Sequence, residues 1–446
     1  MKKRFLAPVF SIVAIVMQWT RPTSAETTLS APDDAPIVEE VKLVERWLRS
    51  SSEVAAWRAQ VGAARFEVVT AELLPNPEVS VSGLFLLSGV SPDGETGVQG
   101  QLTVPLPIFG QMPARRRAAE ALVSVAEVAV LQMLWERISD LHAAMVDVAF
   151  ADARVQVYER NLAELSRLRR LVEARAQAGA NDAYDVLRVT TAETTMRASM
   201  QTAMTERAQA EAHLHALMAV PTLTRVRITK DGLARFRGPE DERTLVRVAL
   251  ERRPDLALLR RNVVASNRAA ERHRKESIPT PSVFAGIYAV QRAYGVLGSA
   301  GISMPLPLFD RNQGEVGRAL LQAQASELAA SALEARIEAE VRGASSAREA
   351  ARVALRDHRD SALPSNAELL RRAEVSYQAA KFSIAELFDA YRTMWEARAQ
   401  ELELERQLAV AEARLMRATA LVPIDLARFE RGHEARPGTE PTLGTP

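Results

Sequence analysis

The chain has 446 residues, 57 lysines and arginines against 56 aspartates and glutamates, and no cysteine. A formal net charge of +1 excludes the broad basic surface of a bulk nucleic-acid binder, and the missing cysteine excludes disulfides, thiolate metal sites and cysteine nucleophiles. Aromatics are only 5% of the residues while alanine and arginine abound, which suits long helices better than a compact aromatic core.

The N-terminus reads as a secretory leader over residues 1–25. Lys2-Lys3-Arg4 is a basic start, Phe5 to Trp19 is an apolar run interrupted by Pro8, and Thr23-Ser24-Ala25 offers a small-residue cleavage site, so that Glu26 begins the mature chain. The run is shorter than the roughly 20 residues of a spanning helix, and no later stretch is expected to reach that length.

From there the chain states one plan twice, over 26–230 and 231–422. In the first unit a helix is expected near 36–73. Pro75-Asn76-Pro77 ends it, and two strands follow near 78–90 and 97–107. Val79 and Val81 alternate with Ser80 and Ser82; Val98, Leu102 and Val104 alternate with Gln99, Gln101 and Thr103. That period of two gives each strand an apolar face and a small, neutral, polar one. The strands have about the 9–11 residues of a membrane strand, although a soluble sheet packed on helices would alternate in the same way. Pro105-Leu106-Pro107-Ile108-Phe109 stops the second strand, since proline has no N–H for a ladder. The Gly110-Gln111-Met112-Pro113 stretch then turns the chain into a helix. No glycine or proline interrupts Ala114 to Ala178, so a single helix over 113–178 would approach ~100 Å. Leu122, Val125, Val128, Leu131, Ile138, Leu141 and Met145 recur along it in steps of three and four, a coiled-coil-like stripe. A partner helix is expected over 182–220.

The second unit repeats this with a helix near 240–277, Pro279-Thr280-Pro281, strands near 282–292 and 297–307, and helices over 312–378 and 383–421. Pro305-Leu306-Pro307-Leu308-Phe309 repeats the earlier pentapeptide 200 residues on, and Gln378-Ala379-Ala380 repeats Gln177-Ala178-Gly179 at a shift of 201. The near-constant shift marks an internal duplication. Pro105, Pro107, Phe109, Pro305, Pro307 and Phe309 are thus read as paired strand-to-helix junctions, with each phenylalanine placed to meet a membrane interface. Residues 423–446, rich in proline, glycine and charge, read as a disordered tail.

Leader, duplicated halves, two strands per half, paired long helices and the Pro-Leu-Pro-Leu-Phe-Asp-Arg-Asn-Gln-Gly stretch together resemble the TolC-type outer-membrane efflux family, over nearly the whole mature chain. The resemblance implies a mainly α fold with a small transmembrane β part. A homotrimer would build a long α-helical barrel and a shared 12-stranded β-barrel in the outer membrane of a Gram-negative cell. One part of this follows from physics alone: four strands cannot close a transmembrane barrel, and an open edge in lipid leaves backbone groups unpaired. The implied partners are a periplasmic adaptor, an inner-membrane pump of the resistance-nodulation-division type and outer-membrane lipid, with no nucleic acid. Without a cysteine the chain lacks the lipid anchor that many relatives carry.

The resemblance also assigns residues at the tips of the helical hairpins. Glu386 and Asp389 match a pair of acids that narrows the tunnel; three residues apart they share a helix face, and rings of carboxylates favour cations. The other reading of these acids is a helix start, which favours negative charge. Asp185 and Tyr377 match a latch between hairpins, whose companion arginine is replaced here by Phe382. Gly179, Ala180 and Lys381 are candidate adaptor contacts.

No cofactor, metal site or catalytic constellation is expected. G-x-x-x-x-G-K-[ST] and H-E-x-x-H motifs are missing. His213 and His215 are two apart on a helix and diverge; Met196, Met200 and Met204 share a face, which reads as packing before soft-metal contact. The function read from this is a passive exit duct in a pump–adaptor–duct efflux system. The wording of the second junction resembles the heavy-metal cation branch, with drug or organic-solute export as the alternative. A pore-free periplasmic coiled-coil adaptor or scaffold is the alternative of another class, and an enzyme is a third.

Overall fold

The computed structural model describes residues 38–85, 96–177, 183–219, 227–290, 295–379 and 381–422. The leader, the tail and two of the three candidate adaptor contacts, Gly179 and Ala180, lie outside these residues.

The first helix expected from sequence is two. α1 (Glu40–Ser50) and α2 (Ser52–Glu72) break at Ser51, whose backbone is extended and whose side chain caps α2 by accepting from the Val54 N–H. The antiparallel strands β1 (Glu78–Phe85) and β2 (Thr96–Pro105) follow, then α3 (Gln111–Gln177) and α4 (Ala183–Met218). α3 runs 67 residues without interruption, ~100 Å of helix, as its lack of glycine and proline predicts.

The second half repeats the order. α5 (Glu242–Arg252) has the 11 residues of α1 and breaks from α6 (Pro254–Glu276) at an extended Arg253, because a residue before proline is pushed out of the helical region. β3 (Ser282–Val290) and β4 (Gly295–Ser303) precede α7 (Gln313–Asp357), α8 (Leu363–Gln378) and α9 (Ile384–Thr419), the last matching the 36 residues of α4. The single helix expected over 312–378 is divided by a π turn at His358–Ala362, where the Leu363 N–H reaches the His358 carbonyl. Pro364 explains it: its ring cannot sit against the carbonyl four residues back, so the turn widens. α4 and α9 each end on an alanine in left-handed conformation, Ala219 (φ 47°) and Ala420 (φ 53°), 201 residues apart.

The halves are joined through α3, which packs against α2, α4, α6 and α9. One departure from the sequence reading lies on this helix: α3 holds an 18-residue stretch of mean hydropathy 1.5, long and apolar enough to cross a membrane, of which 28% is buried within the chain. One core gathers Trp47, Trp57, Leu134, Leu141 and Met145 with Ile228 of the inter-repeat segment. A second gathers Leu245, Leu256, Ile337 and Leu415. Between them lies fully buried Glu40. One carboxylate oxygen is 2.7 Å from His142 Nδ1, which therefore carries the hydrogen, and the other accepts from the Ala234 N–H at 2.7 Å. This one side chain ties α1, α3 and the inter-repeat segment together; removing it would strand two buried donors at about 1–3 kcal/mol each. Arg253 does similar work in the second half, reaching Asp255 and Glu340 with its guanidinium 5.2 Å above Trp135.

The four strands form one antiparallel sheet in chain order, so β2 of the first half pairs with β3 of the second. The register sorts the side chains, since directly opposed residues share a face. Val79, Leu102, Ala285 and Ala300 align across the sheet; so do Val81, Gly100, Ile287 and Gly298, and Gly83, Val98, Ala289 and Val296. That face is wholly apolar, and its large residues Val79, Val81, Val98, Leu102, Ile287, Val296 and Ile302 are 46–75% exposed. On the other face stand Ser80, Gln101 and Ser299, then Ser82, Gln99 and Tyr288. Gln99 donates to Gln101 and Gln101 to Thr103. Phe284 and Leu297, opposite Tyr288, are apolar exceptions, and Phe284 lies over Gly301, where an added Cβ would come within 2.7 Å of the ring.

An apolar face this exposed needs an apolar neighbour. Leu102→Arg should therefore cut the yield of protein refolded into lipid vesicles severalfold, through a cost of about 2–4 kcal/mol at mid-depth, while Gln101→Arg on the polar face should refold nearly as wild type. Equal losses would refute this assignment of faces.

Candidate functional site

The repeated Pro-Leu-Pro stretches sit between sheet and helices in both halves. β2 ends at Pro105, whose partner is Ser282, and β4 ends at Ser303, both sooner than expected. The reason is a tight turn around the second proline of each motif: the Ile108 N–H donates to the Leu106 carbonyl at 2.8 Å, and the Leu308 N–H to Leu306 at 2.9 Å. Pro107 and Pro307 are the central residues of these three-residue turns, where proline's fixed φ fits. Gln111 then accepts the Phe109 N–H and Gln313 the Arg311 N–H. Each helix is entered through a left-handed residue, Gly110 (φ 85°) or Asn312 (φ 56°). Phe309 is 91% exposed against 44% for Phe109. Arg115, Arg116 and Arg117 past the first junction are ion-paired to Glu276, to Glu72 and Glu120, and to Glu271, so they fasten α3 to α2 and α6.

At the far end of the helices the second tip turns tightly. The Ser376 carbonyl accepts the N–H groups of Lys381 and Phe382, and Lys381 is exposed. Ser383 starts α9 with a reciprocal cap: its side chain accepts from the Glu386 N–H, and the Glu386 carboxylate accepts from the Ser383 N–H at 2.7 Å. The Ser383 backbone N–H, then its hydroxyl, hold the Glu386 carboxyl below the ordinary glutamate value. Asp389 is exposed and bonded at 2.6 Å to Arg392, which lies 3.6 Å from Glu396. In the single chain both acids thus have local partners, and Arg392 is a neighbour that the sequence reading passed over, although its i+3 spacing from Asp389 was visible.

Tyr377 is buried. Arg175 lies 4.1 Å over its ring and donates to its carbonyl at 3.1 Å, clamping the end of α3 to α8. Asp185 stands half-buried in the first turn of α4. Tyr377 shares one core with Val172, Val186, Val189, Ile384 and Leu387, so the tip brings both hairpins together through apolar packing. Phe388, Tyr391 and Trp395 add an aromatic ladder at spacings of three and four, with Phe388 and Tyr391 6.2 and 5.7 Å from the Trp395 ring. Its polar atoms are anchored: the Tyr391 hydroxyl donates to Glu374 and Trp395 Nε1 to Glu164. Burial, then the Glu374 carboxylate, push the Tyr391 hydroxyl well above its usual value. Met196 packs against this core. Among the described residues no group of three or more His, Cys, Asp or Glu could hold a metal ion.

A duplicated bundle of very long helices, joined to a small sheet with an exposed apolar face, defines a membrane-associated helical-duct fold. Comparison with known proteins places it. The profile of the family described as outer membrane efflux protein matches residues 43–220 and 245–421, and the chain belongs to that family. It is 24% identical over 362 residues to the cobalt-zinc-cadmium resistance protein CzcC of Cupriavidus metallidurans, covering 79% of this chain and 83% of the relative. By fold it resembles CusC (TM-score 0.70, 20% identity, 85% of this chain and 92% of that one). It also resembles the Campylobacter jejuni CmeC outer membrane channel (TM-score 0.69, 15% identity, 89% of each chain). The protein is thus an outer-membrane efflux duct, of a family of channels rather than enzymes, whose members work as homotrimers with an adaptor and an inner-membrane pump.

Because the folded value of Glu386 is depressed, its contribution to the start of α9 is present above the ordinary glutamate pKa of about 4.3 and is lost as pH falls through the lower folded value. Amide protection of residues 384–387, corrected for intrinsic exchange, should step down below about pH 4. Glu386→Gln should remove the step; a step of unchanged size in that variant would show that another group causes it.

Proposed function

We propose that three copies of this chain form a passive exit path across the periplasm and outer membrane, with each copy giving four strands to a shared 12-stranded barrel. The single observation that carries this is the sheet: it has one exposed apolar face, a largely polar face opposite, and edges at β1 and β4 that have no strand partner among the described residues. In lipid such edges must be paired, and neighbouring copies offer the complementary edge, β4 of one meeting β1 of the next. The polar face then lines water and the apolar face meets hydrocarbon. Phe109 and Phe309 stand at the level where strand gives way to helix, as interfacial aromatics do.

In this reading the tips are the gate. Glu386 and Asp389, repeated by symmetry, would form two acidic rings at the periplasmic mouth. Asp185 would accept from the Tyr377 hydroxyl to latch the hairpins, with apolar packing beside Phe382 in place of a second polar latch. The turn of Gly179, Ala180 and Lys381 would meet the adaptor, and a resistance-nodulation-division pump would supply the energy. Likeness to the cobalt-zinc-cadmium resistance protein supports heavy-metal cations as cargo, and acidic rings suit cations.

Wild-type protein should conduct in a planar bilayer, with openings blocked by multivalent cations. Glu386→Gln with Asp389→Asn should raise the conductance and weaken the block by an order of magnitude; unchanged traces would remove the two acids from the gate. A strain lacking the chain should become sensitive to cobalt, zinc and cadmium salts. Sensitivity confined to organic compounds would transfer the duct to drug or solute export.

A further inference from the structure

We infer that the wall of the helical duct holds a binding groove for an elongated amphipathic organic anion, separate from the tips and from any metal cargo. The groove is a cavity of about 730 Å³ between α3, α4 and α9, within the size range of small-molecule sites. Its walls are apolar: Val157 and Tyr158 on α3, Met196 on α4, Phe388, Trp395 and Leu402 on α9. Thr191, Thr195 and Ser199 of α4 also line it, but each hydroxyl donates to the carbonyl four residues back, at 2.9, 3.1 and 3.2 Å. These residues therefore satisfy their own hydroxyls and add no competing donor to the wall.

Two polar groups stand out in the lining. Arg188, near the tip, has its guanidinium 5.5 Å above the Phe388 ring and no carboxylate partner among the described residues. The other arginines of the lining are already neutralised, Arg154 by Glu206 and Glu403, Arg392 by Asp389 and Glu396. Arg188 thus leaves the groove one uncompensated positive charge over an aromatic face. Farther from the tip than Arg188, Asn161 of α3 is 97% buried by its 3% exposure, and its Oδ1 has no hydrogen-bond donor; the lining continues past it to the Arg154–Glu403 pair. An unsatisfied buried acceptor costs free energy that a ligand donor recovers. The α4 lining runs from Arg188 to Ser199, ~16 Å of helix. Cation, apolar trough and acceptor in that order fit a molecule with an anionic head, a hydrophobic body and an N–H or O–H beyond it. The uncompensated Arg188 charge and the apolar trough disfavour a divalent metal ion there.

The test uses the full-length protein in lipid nanodiscs, first shown to conduct after transfer to a planar bilayer, so that failure of the groove is separable from failure of the duct. 8-Anilinonaphthalene-1-sulfonate carries an aromatic body, a sulfonate and an N–H; N-phenyl-1-naphthylamine is the same body without the charge. Against empty nanodiscs, the sulfonate should bind saturably at one site per chain and quench Trp395, with the neutral probe at least tenfold weaker. Arg188→Gln should weaken the sulfonate about tenfold and leave the neutral probe unchanged. Ala192→Trp, which fills the groove, should abolish both. Conducting protein with no saturable sulfonate binding, or equal affinity for the two probes, would overturn the proposal. So would an Arg188→Gln variant that binds the sulfonate as tightly as wild type.

Discussion

A backbone N–H or C=O in hydrocarbon has no water to fall back on, and that constraint governs this molecule. The chain makes a sheet with one apolar face whose two edge strands have no strand partner among the described residues. A single copy in a membrane would leave a row of donors and acceptors unpaired on each side. Pairing β1 of one copy with β4 of another removes the cost for both, so association is a condition of the fold in lipid and not an addition to it. The helices inherit the consequence: whatever symmetry closes the sheet also sets the bundle beneath it.

Sheet and bundle communicate through the two Pro-Leu-Pro junctions, and the duplication shows what such a junction needs. A first proline is the last residue of β2 in one junction and follows the end of β4 by two residues in the other; in both, a second proline centres a three-residue turn, and a glutamine closes the entry to a long helix. The two are not identical. The second carries two further residues, Asp310 and Arg311, with Asp310 accepting the Asn312 N–H, and it leaves Phe309 far more exposed than Phe109. The halves diverge again at the π turn, where Arg359 is bonded to Glu401 and Glu405, and His358 contacts the Ala397 carbonyl of α9. One half thus offers an unbroken rod and the other a rod with a widened turn.

At the tips the proposed gate acids also have structural partners of their own. Glu386 closes the cap of α9 through Ser383, and Asp389 is held by Arg392. An acid at a gate must be fixed in place before it can exclude or admit an ion, and a helix N-terminus fixes it. Structural and gating readings of these acids are compatible here, because a cap anchors one carboxylate oxygen and leaves the other free. The aromatic ladder behind them, pinned by Glu164 and Glu374, gives the tip a rigid backing and forms one wall of the groove above it.

The sequence alone determined the elements whose cause is local. Alternation of Val with Ser and Gln set the two strand faces, prolines set the junctions, and an unbroken run without glycine or proline set α3. The shift of about 200 residues announced the repeat. What only the tertiary structure decided has causes distant in the chain. Glu40 at the start of α1 meets His142 of α3, 102 positions away, and Arg253 meets Glu340, 87 positions away. The pairing of β2 with β3 joins halves that are separate in sequence. Tyr377 is buried among Val172, Val189 and Leu387 and clamped by Arg175, 202 positions away. Periodicity reports which face of an element is apolar, because side-chain direction follows from backbone geometry within a few residues. It cannot report what covers that face, because the partner is chosen by packing among elements that the chain brings together only on folding.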